Sequence, residues 1–281
     1  MIVSRFAPSP TGRLHLGHAY SAVLGHERAR QENGRFLVRI EDLDQTRSRR
    51  EFVEGIYEDL RWLGLEWDEP LLVQSERGGV YAAALERLRA KGLVYPCFCT
   101  RADIAAALEA PHGPATGHYP GTCRDLPDDP QRRDAQPHSW RLDAAKALAC
   151  TGFPSWGEGG QTFTSNRGDF DDAILARKDA PAAYHLACVA DDAHSGVTLV
   201  VRAADLRSST PIQRLLQDLL ALPQPAYLHH EMVTHLDGRR LAKRDLGPTL
   251  AAMRKAGVDG RELAHRLKDG MLPSGFRLSQ A

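Results

Sequence analysis

The chain has 281 residues, of which 42% are hydrophobic, and this is enough apolar material for one large domain or two small ones. Its 36 lysines and arginines balance its 36 aspartates and glutamates, so the formal net charge of +0 excludes a globally basic surface for nucleic acid. No apolar run is long enough to span a bilayer, the N-terminus carries no signal-peptide pattern, and five unevenly spaced cysteines favour reduced thiols or a metal over disulfides. We therefore expect a soluble, cytoplasmic protein without a membrane partner.

The chain begins with a strand–loop–helix unit over residues 2–34. An apolar start runs into a loop rich in proline and glycine, and after Gly17 apolar residues recur at helical spacing until Gly34. His15 and His18 lie in the first turn of this helix, where free backbone N–H groups and the positive end of the helix dipole favour an anion. The two imidazoles can hold phosphate oxygens there, and Gly17 allows a phosphate or a flat base to approach the backbone. Without further context, two exposed histidines at a helix start explain the tetrad equally well.

A short apolar run over residues 36–40 predicts a second strand. Strand, helix and strand form a βαβ unit with a right-handed crossover, so we predict an α/β fold with a parallel sheet and helices on its faces. Ligands of such sheets bind outside the carboxyl ends of the strands, and both the loop after Arg5 and the acidic residue Glu41 leave such ends. The charged residues at 41–47 offer a carboxylate for an ammonium group, or they form a surface loop with one local ion pair.

The middle of the chain contains many Pro, Gly, Asp and His residues and few regular apolar repeats. Cys97, Cys99 and Cys123 supply three thiolates that suit a tetrahedral zinc, although C-x-C is less diagnostic than paired C-x-x-C. The residues themselves favour His118 or His112 as the fourth ligand, because imidazole is the commoner donor. Two further cysteines are expected to be small, buried residues outside this site: Cys150 and Cys188.

From residue 169 the apolar pattern becomes regular again. Tyr184 opens a helical or extended segment, residues 196–201 predict a buried strand, and Arg202 and Asp205 follow the end of that strand. Charged residues at a strand end again indicate a binding site. The alternatives are a core aromatic for Tyr184 and a surface ion pair between Arg202 and Asp205. Further helices are predicted over residues 52–63, 81–88, 209–220, 249–255 and 261–268.

Several stretches, in this order, resemble one family. RFAPSPTGRLHLGH at residues 5–18 is similar to the HIGH signature of class I aminoacyl-tRNA synthetases, in the version of the glutamate and glutamine branch. RIEDLDQTR at residues 39–47 is similar to a hallmark of glutamyl-tRNA synthetases. The pattern YxLAxVxDDxxxGVTxVVRxxDL from Tyr184 resembles the second half of the same catalytic domain, and RLAKR at residues 240–244 resembles the KMSKS loop imperfectly.

The resemblance extends from Arg5 to about residue 268 and is strongest to the glutamyl-queuosine tRNA(Asp) synthetases, which are glutamyl-tRNA synthetase paralogues without an anticodon-binding domain. It implies a Rossmann-like catalytic domain with a zinc-binding insertion and a short helical C-terminal part. We expect a first catalytic half with the HxGH motif at 1–93 and the insertion at 94–166. The second catalytic half with the KMSKS-like loop would follow at 167–245, and 246–281 would form a short helical segment without an anticodon-binding domain.

The resemblance also implies roles for the site residues. His15, His18 and Lys243 would stabilise the ATP phosphates as charge develops, and Gly17 would also lie at the nucleotide. Glu41 would face the α-amino group of glutamate. The remaining glutamate-binding residues implied by the resemblance are Arg5, Phe6, Ala7, Pro8, Ser9, Tyr184 and Arg202. The guanidinium of Arg5 would take the side-chain carboxylate, a pairing that suits its planar fork.

For the fourth metal ligand, the resemblance favours a tyrosine, whereas donor chemistry alone favours a histidine. The pattern CxC…YxxxC is similar to the zinc site of the shortened paralogues, in which the tyrosine is a ligand. It implies one structural Zn²⁺ per chain on Cys97, Cys99, Tyr119 and Cys123, with His118 as the alternative fourth ligand. Mg²⁺ would accompany ATP, as it usually does at substrate phosphates.

The implied reaction has two steps. ATP and L-glutamate form glutamyl-adenylate without tRNA, and glutamate then passes to the cyclopentenediol of queuosine in the anticodon of tRNA(Asp). We expect a monomer. The alternatives are a truncated conventional glutamyl-tRNA synthetase acting on tRNA(Glu), another adenylate-forming enzyme with an H-x-G-H motif, and a non-catalytic, zinc-stabilised RNA-binding paralogue. Only Arg240 and Ala242, which replace the lysine and serine of the KMSKS loop, favour the last of these.

Overall fold

The computed structural model describes residues 1–109, 119–241 and 248–279. Within these ranges no helix is both long and apolar enough to cross a bilayer. The strands are β1 Val3–Phe6, β2 Arg35–Ile40, β3 Leu72–Val73, β4 Val94–Cys97, β5 Ser139–Leu142, β6 Ser155–Glu158, β7 Gln161–Thr164, β8 Ile174–Ala176, β9 Leu199–Ala203, β10 Ala226–His230, β11 Met232–His235 and β12 Phe276–Ser279. The helices are α1 Leu16–Gln31, α2 Arg50–Trp62, α3 Gly78–Ala90, α4 Arg101–Glu109, α5 Pro130–Ala135, α6 Ala144–Thr151, α7 Tyr184–His194, α8 Thr210–Leu219, α9 Leu250–Lys255 and α10 Gly260–Lys268.

The predicted βαβ unit at the start of the chain is confirmed. Strands β1 and β2 pair in parallel, with Val3 opposite Arg35 and Phe6 opposite Val38, and α1 connects them. Strand β3 extends this sheet on the other side of β2. The carboxyl ends of β1 and β2 therefore lie at the same edge, as the pattern of charged residues after each strand requires.

A second parallel pair, β9 and β10, continues into β6 and β7. The two sheets abut along β1 and β9, because the Thr198 N–H donates to the Val3 carbonyl at 2.9 Å and the Val3 N–H donates to Thr198 Oγ1 at 2.9 Å. Across this junction the strands follow in the order β3, β2, β1, β9, β10, so the chain order reverses between β1 and β9. The predicted α/β class with a Rossmann-like parallel sheet is thus confirmed, and such a reversal is where open parallel sheets bind ligands.

The segment between the two parallel pairs adds an antiparallel sheet in the order β4, β5, β8. Leu142 at the end of β5 is buried in the same hydrophobic cluster as Leu88 of α3 and Leu215 of α8. The segment is therefore packed on the helices that cover the second half of the parallel sheet. Its own small cluster consists of Tyr95 and the residues around the cysteines.

The other main cluster lies between the first sheet and its helices. Phe36 and Val38 of β2 are buried against α1 and α2, and Leu250 of α9 and Leu267 of α10 join the same cluster. The two short helices predicted near the C-terminal end of the sequence are confirmed as α9 and α10. Helix α10 packs against α1 and α9 packs against α2, and the Leu250 N–H donates to the Leu14 carbonyl at 2.9 Å just before α1.

Gly34 allows a tight connection between α1 and β2, and a substitution tests this packing. A Cβ atom at Gly34 would lie 1.9 Å from the Ile2 carbonyl oxygen, which accepts the Arg35 N–H at 2.9 Å. We expect Gly34→Ala to lower the free energy of unfolding in urea by about 3 kcal/mol, in the range of overpacked cores. Gly79→Ala in α3 is the matched control, since nothing lies within 4 Å of its added Cβ and alanine favours a helix by up to about 1 kcal/mol. Equal losses in both variants would contradict the packing explanation.

Candidate active site

A cavity of about 570 Å³ opens at the carboxyl ends of β1 and β9, beside the reversal of strand order. Every active-site residue predicted from the sequence that the structure describes lines this cavity: Arg5, Phe6, Ala7, Pro8, Ser9, His15, Gly17, His18, Glu41, Tyr184 and Arg202. Lys243 and Ala242 lie outside the described residues, whereas Arg240, the first basic residue of the same loop, lines the cavity. The roles of these residues remain predictions, but their convergence on one cavity is a finding.

His15 and His18 form a reciprocal cap at the first turn of α1. The Gly17 N–H donates to His15 Nδ1 at 3.2 Å, and the His15 N–H donates to His18 Nδ1 at 3.2 Å. An accepting Nδ1 leaves the ring proton on Nε2, so each neutral imidazole presents an N–H donor at its outer nitrogen. The rings lie 3.8 Å apart, centroid to centroid. The helix therefore begins at Leu16, one position before the glycine that the sequence marked.

Gly17 is needed by the cap itself. A Cβ atom at this position would lie 3.2 Å from His15 Cε1 and 3.3 Å from His15 Nδ1. These distances are shorter than ordinary van der Waals contacts, so a side chain at residue 17 would push the capping ring aside. This steric role stands beside the predicted close approach of a ligand to the backbone.

Asp192 connects two of the three charged residues predicted to hold the amino acid, Arg5 and Glu41. Its Oδ1 accepts from Arg5 Nε at 3.1 Å and also from Arg39 Nη1. Arg39 in turn donates from Nη2 to Glu41 Oε1 at 3.0 Å. The four side chains are buried, with 6% exposure for Arg5, 3% for Arg39, 5% for Asp192 and 11% for Glu41. Charges of opposite sign thus alternate along one buried row.

The two carboxylates of this row differ in their protonation chemistry. Burial by itself would raise the pKa of Asp192, but the guanidiniums of Arg39 and Arg5 outweigh burial and hold that pKa at about 2. Burial also raises the pKa of Glu41, and there the contacts with Arg39 and Arg5 only partly offset it. The guanidiniums next to Asp192 outweigh the cost of burying its negative charge, whereas a further cation would stabilise the charged form of Glu41.

Arg202 is buried among neutral partners. It donates from Nη1 to Gln213 Oε1 at 2.8 Å and to Tyr184 Oη at 3.3 Å, and from Nη2 to Thr210 Oγ1 at 2.8 Å. Its Nε donates to His229 Nε2 at 3.1 Å. None of these groups is a carboxylate, and the ion pairs of the described chain do not include Arg202. The surface ion pair with Asp205 that the sequence allowed is therefore not formed, and the guanidinium charge is held in place without a counter-ion.

Burial and the positive charge of Arg202 keep two nearby histidines, His185 and His229, neutral. Because an arginine nitrogen only donates, His229 Nε2 must accept and its proton lies on Nδ1, which is 2.9 Å from Glu158 Oε2. Burial and then Arg202 lower the pKa of His229 to about 4. Burial and then Arg202 likewise lower the pKa of His185, which lies beside Tyr184, to about 4.

The three predicted cysteine ligands come together in the small cluster next to β4. The Sγ atoms of Cys97, Cys99 and Cys123 lie within 4.8 Å of one another, so this group can hold a metal ion. The hydroxyl oxygen of Tyr119 lies 3.3 Å from Cys97 Sγ and 3.6 Å from Cys99 Sγ. Three sulfurs and one oxygen converging in this way suit a closed tetrahedral site. His118 and His112, the alternative ligands, lie outside the described residues.

The two other cysteines behave differently from each other. Cys188 is buried, as expected, but its Sγ lies 3.4 Å from Arg39 Nη2 at the ionic row instead of among apolar atoms. Cys150 is exposed near the end of α6, so the expectation that it would be buried is wrong. Its position on the last turn of a short helix explains this, because only Ala144 and Ala147 of that helix are buried.

Three residues of the site were missed in the sequence. Arg39 stands inside RIEDLDQTR, and Asp192 follows Tyr184 by two helical turns on α7, so both had signals in stretches that were already singled out. His230 ends β10 and lines the cavity, with its Nε2 2.7 Å from Ser21 Oγ. Its placement at the carboxyl end of a parallel strand is the same signal that identified Arg202.

The family described as tRNA synthetases class I (E and Q), catalytic domain, matches residues 1–264. Among curated proteins, the chain is similar to the glutamyl-Q tRNA(Asp) synthetase of Rhodobacter capsulatus, with 44% identity over 273 residues that cover 93% of this chain and 98% of the relative. It is also similar to the glutamyl-Q tRNA(Asp) synthetase of Nocardia farcinica, with 47% identity over 270 residues that cover 95% of this chain and 84% of the relative.

Among solved structures, the chain is similar to the glutamate-tRNA synthetase from Elizabethkingia anophelis, with a TM-score of 0.81 and 25% identity. The match covers 95% of this chain and 61% of that one. A glutamate tRNA ligase from Elizabethkingia meningosepticum, in complex with its amino acid, gives the same TM-score of 0.81 with 60% of its chain covered. The chain therefore spans about three fifths of the length of these two structures.

The neutral state of His185 makes stability depend on pH. Its pKa of about 4 in the folded protein lies below the ordinary value of 6.5, so the unfolded chain binds more protons between these values. The stability that this residue contributes is present above pH 6.5 and is lost as the pH falls towards 4. We expect the free energy of unfolding in urea to decline over this window, and to decline less in His185→Asn. His194→Asn, at the exposed end of α7, is the control that should keep the wild-type pH dependence.

Proposed function

Because the chain belongs to the class I tRNA synthetases of the E and Q type, we propose that it activates glutamate with ATP and transfers it to queuosine in the anticodon of tRNA(Asp). The observation that carries the proposal is the convergence of complementary charges in one cavity. Arg5, Arg202 and Glu41 offer two cations and one anion, and the capped start of α1 offers donors for phosphate. Two relatives that are glutamyl-Q tRNA(Asp) synthetases by name support the queuosine step.

Glutamate carries two carboxylates and one ammonium group, and the cavity offers a partner for each. Arg5 would take the side-chain carboxylate in a charge-assisted pair. Glu41 would take the ammonium group. The pKa of Glu41 is raised because burial is only partly offset, so a further cation would stabilise its charged form. Arg202, held by four neutral side chains, would supply the remaining positive charge for the α-carboxylate together with the hydroxyl of Tyr184.

In the first step, an α-carboxylate oxygen of glutamate attacks the α-phosphorus of ATP, and the bond to the departing pyrophosphate breaks. No side-chain nucleophile takes part, so the work of the protein is alignment and charge stabilisation. The Nε2–H groups of His15 and His18 would donate to the phosphates as negative charge builds, and the positive end of the α1 dipole would favour that charge. Lys243 would add a cation from the loop that follows Arg240. Mg²⁺ would arrive with ATP and neutralise the phosphate oxygens, without a protein cage of its own.

In the second step, a hydroxyl of the queuosine cyclopentenediol attacks the activated carbonyl of glutamyl-adenylate, and AMP leaves. Asp205 and Leu206 line the cavity and are exposed, so the extruded base would enter past them. Bases splayed from a loop are the usual target of sequence-specific RNA recognition. The likeness to two glutamate-tRNA synthetase structures favours charging of tRNA(Glu) as a second candidate, since the activation step would be the same.

The decisive measurement is transfer of labelled glutamate with ATP to purified tRNAs whose 3′ ends are blocked or free. We expect label on 3′-blocked tRNA(Asp) that contains queuosine and none on the same tRNA without queuosine. His18→Ala is the matched negative control, because loss of one phosphate donor should reduce ATP–pyrophosphate exchange by about 100-fold or more. Label only on tRNA(Glu) with a free 3′ end would instead establish the second candidate.

We also propose that the cysteine cluster binds one Zn²⁺ through Cys97, Cys99, Cys123 and Tyr119. Burial raises the pKa of the Cys99 thiol to about 11, so a bound cation is needed to keep this sulfur deprotonated. The metal would connect β4 to the segment that carries Tyr119 and Cys123, and its role would be structural because all four positions are taken by protein.

The zinc proposal is tested by metal content and by affinity measured with a competing chelator. We expect about one zinc per chain in the wild-type protein, complete loss in Cys123→Ser, and at least about tenfold weaker binding in Tyr119→Phe. Cys150→Ser is the matched control, because this thiol is exposed and lies outside the cluster. Unchanged affinity in Tyr119→Phe would remove the tyrosine from the ligand set and leave the fourth position to another residue.

A further inference from the structure

We propose that Asp192 is a positioning residue that sets the specificity of the cavity for an acidic amino acid, because it fixes Arg5 directly and Glu41 through Arg39. The inference rests on the proposed function of the same cavity. Asp192 does not line the cavity, so it would act only through the residues that do.

The buried row begins at Arg5 and ends at Glu41, and each of these two charged groups has one side left for a ligand. Arg5 uses Nε and Nη2 towards Asp192, with Nη2 3.5 Å from Oδ2, and Glu41 uses Oε1 towards Arg39. In the described part of the chain, Arg5 Nη1 and Glu41 Oε2 take part in no hydrogen bond. Both residues line the cavity, so these two atoms are the ones available to an anion and a cation of the same ligand.

Asp192 keeps the two ends of the row apart. Arg5 and Arg39 are neighbouring buried cations, and their Nη2 atoms lie 3.9 Å and 3.4 Å from Cys188 Sγ. The carboxylate between them removes their repulsion and occupies the inner edge of Arg5. Without that charge, Glu41 is the nearest remaining anion of the row, and both arginines would compete for it. The cavity would then lose its site for an ammonium group and its site for an acid at the same time.

The adjacent residue Asp191 provides a matched comparison. Tyr184, Cys188 and Asp192 follow at intervals of four on α7 and share one helix face. Asp191 points to another face, where it accepts from Arg77 Nε at 2.7 Å and Tyr81 Oη at 2.8 Å. Both aspartates are buried and both hold an arginine, but of the two only Asp192 accepts hydrogen bonds from Arg5 and Arg39.

The experiment compares Asp192→Asn with Asp191→Asn in the full chain by glutamate-dependent ATP–pyrophosphate exchange. We expect Asp192→Asn to raise the KM for glutamate by about 30-fold or more, the effect of losing a charge-assisted pair, while the KM for ATP stays within about threefold. Asp192→Asn should also lower the preference for glutamate over glutamine by about tenfold, because Arg5 is no longer fixed on the acid. Asp191→Asn should unfold at lower urea concentration but keep both the glutamate KM and the preference.

Arg39→Gln separates the two ends of the row. It leaves the pair of Arg5 with Asp192 in place, so the glutamate KM should rise while the preference over glutamine is retained. This variant also decides the question if Asp192→Asn does not fold. A wild-type protein without glutamate-dependent exchange would refute the proposed function itself. If the wild-type protein is active, an unchanged glutamate KM in Asp192→Asn would overturn the positioning role. Where Asp192→Asn does not fold, an unchanged glutamate KM in Arg39→Gln would do the same. Equal shifts of the glutamate KM in Asp191→Asn and Asp192→Asn would also overturn it.

Discussion

The reversal of strand order between β1 and β9 decides where the charged groups of this protein meet. The two strands are joined by a backbone hydrogen bond from Thr198 to Val3, and both run towards the same edge. Arg5 near the end of β1 and Arg202 near the end of β9 are therefore neighbours across the junction, although almost two hundred residues separate them in sequence. Helix α1 leaves the same edge and contributes its first turn, so the two imidazoles of its cap and the two guanidiniums line one cavity.

Burial makes each charge in this cavity depend on its neighbours. Asp192 lies between two guanidiniums, which hold its pKa at about 2 in spite of desolvation, and it acts as a fixed anion of the scaffold. Glu41 shares only one oxygen with Arg39, and its pKa stays above the ordinary value. Environments that drive two carboxylates in opposite directions usually mark different roles. Here Asp192, the compensated carboxylate, accepts from Arg5 and Arg39 behind the cavity, whereas Glu41 lines the cavity itself.

The sequence predicts the local parts of this arrangement well. The strand, helix and strand up to Ile40, the helices with apolar stripes and the cysteine cluster all follow from patterns of a few residues. The hydrogen bond between Arg5 and Asp192, in contrast, joins positions 187 apart, and nothing in the immediate surroundings of Asp192 names its partner. The exposure of Cys150 was missed for a related reason, since burial depends on which face of a short helix the rest of the chain covers. Periodicity identifies elements, but the pairing of buried charges appears only once the strands are ordered.

The sum of five buried charges in and behind the cavity bears on the proposed preference for an acidic amino acid. Arg5, Arg39 and Arg202 contribute three positive charges, and Asp192 and Glu41 contribute two negative charges, so the protein side is left with one positive charge. Glutamate, with two carboxylates and one ammonium group, brings one net negative charge and completes the balance. Glutamine brings none and would leave a buried guanidinium without a counter-ion, which is costly in a site of low dielectric. The net charge of the buried set would favour an anionic ligand, whereas the proposed preference for the acid over glutamine would depend on Arg5, which Asp192 holds in place.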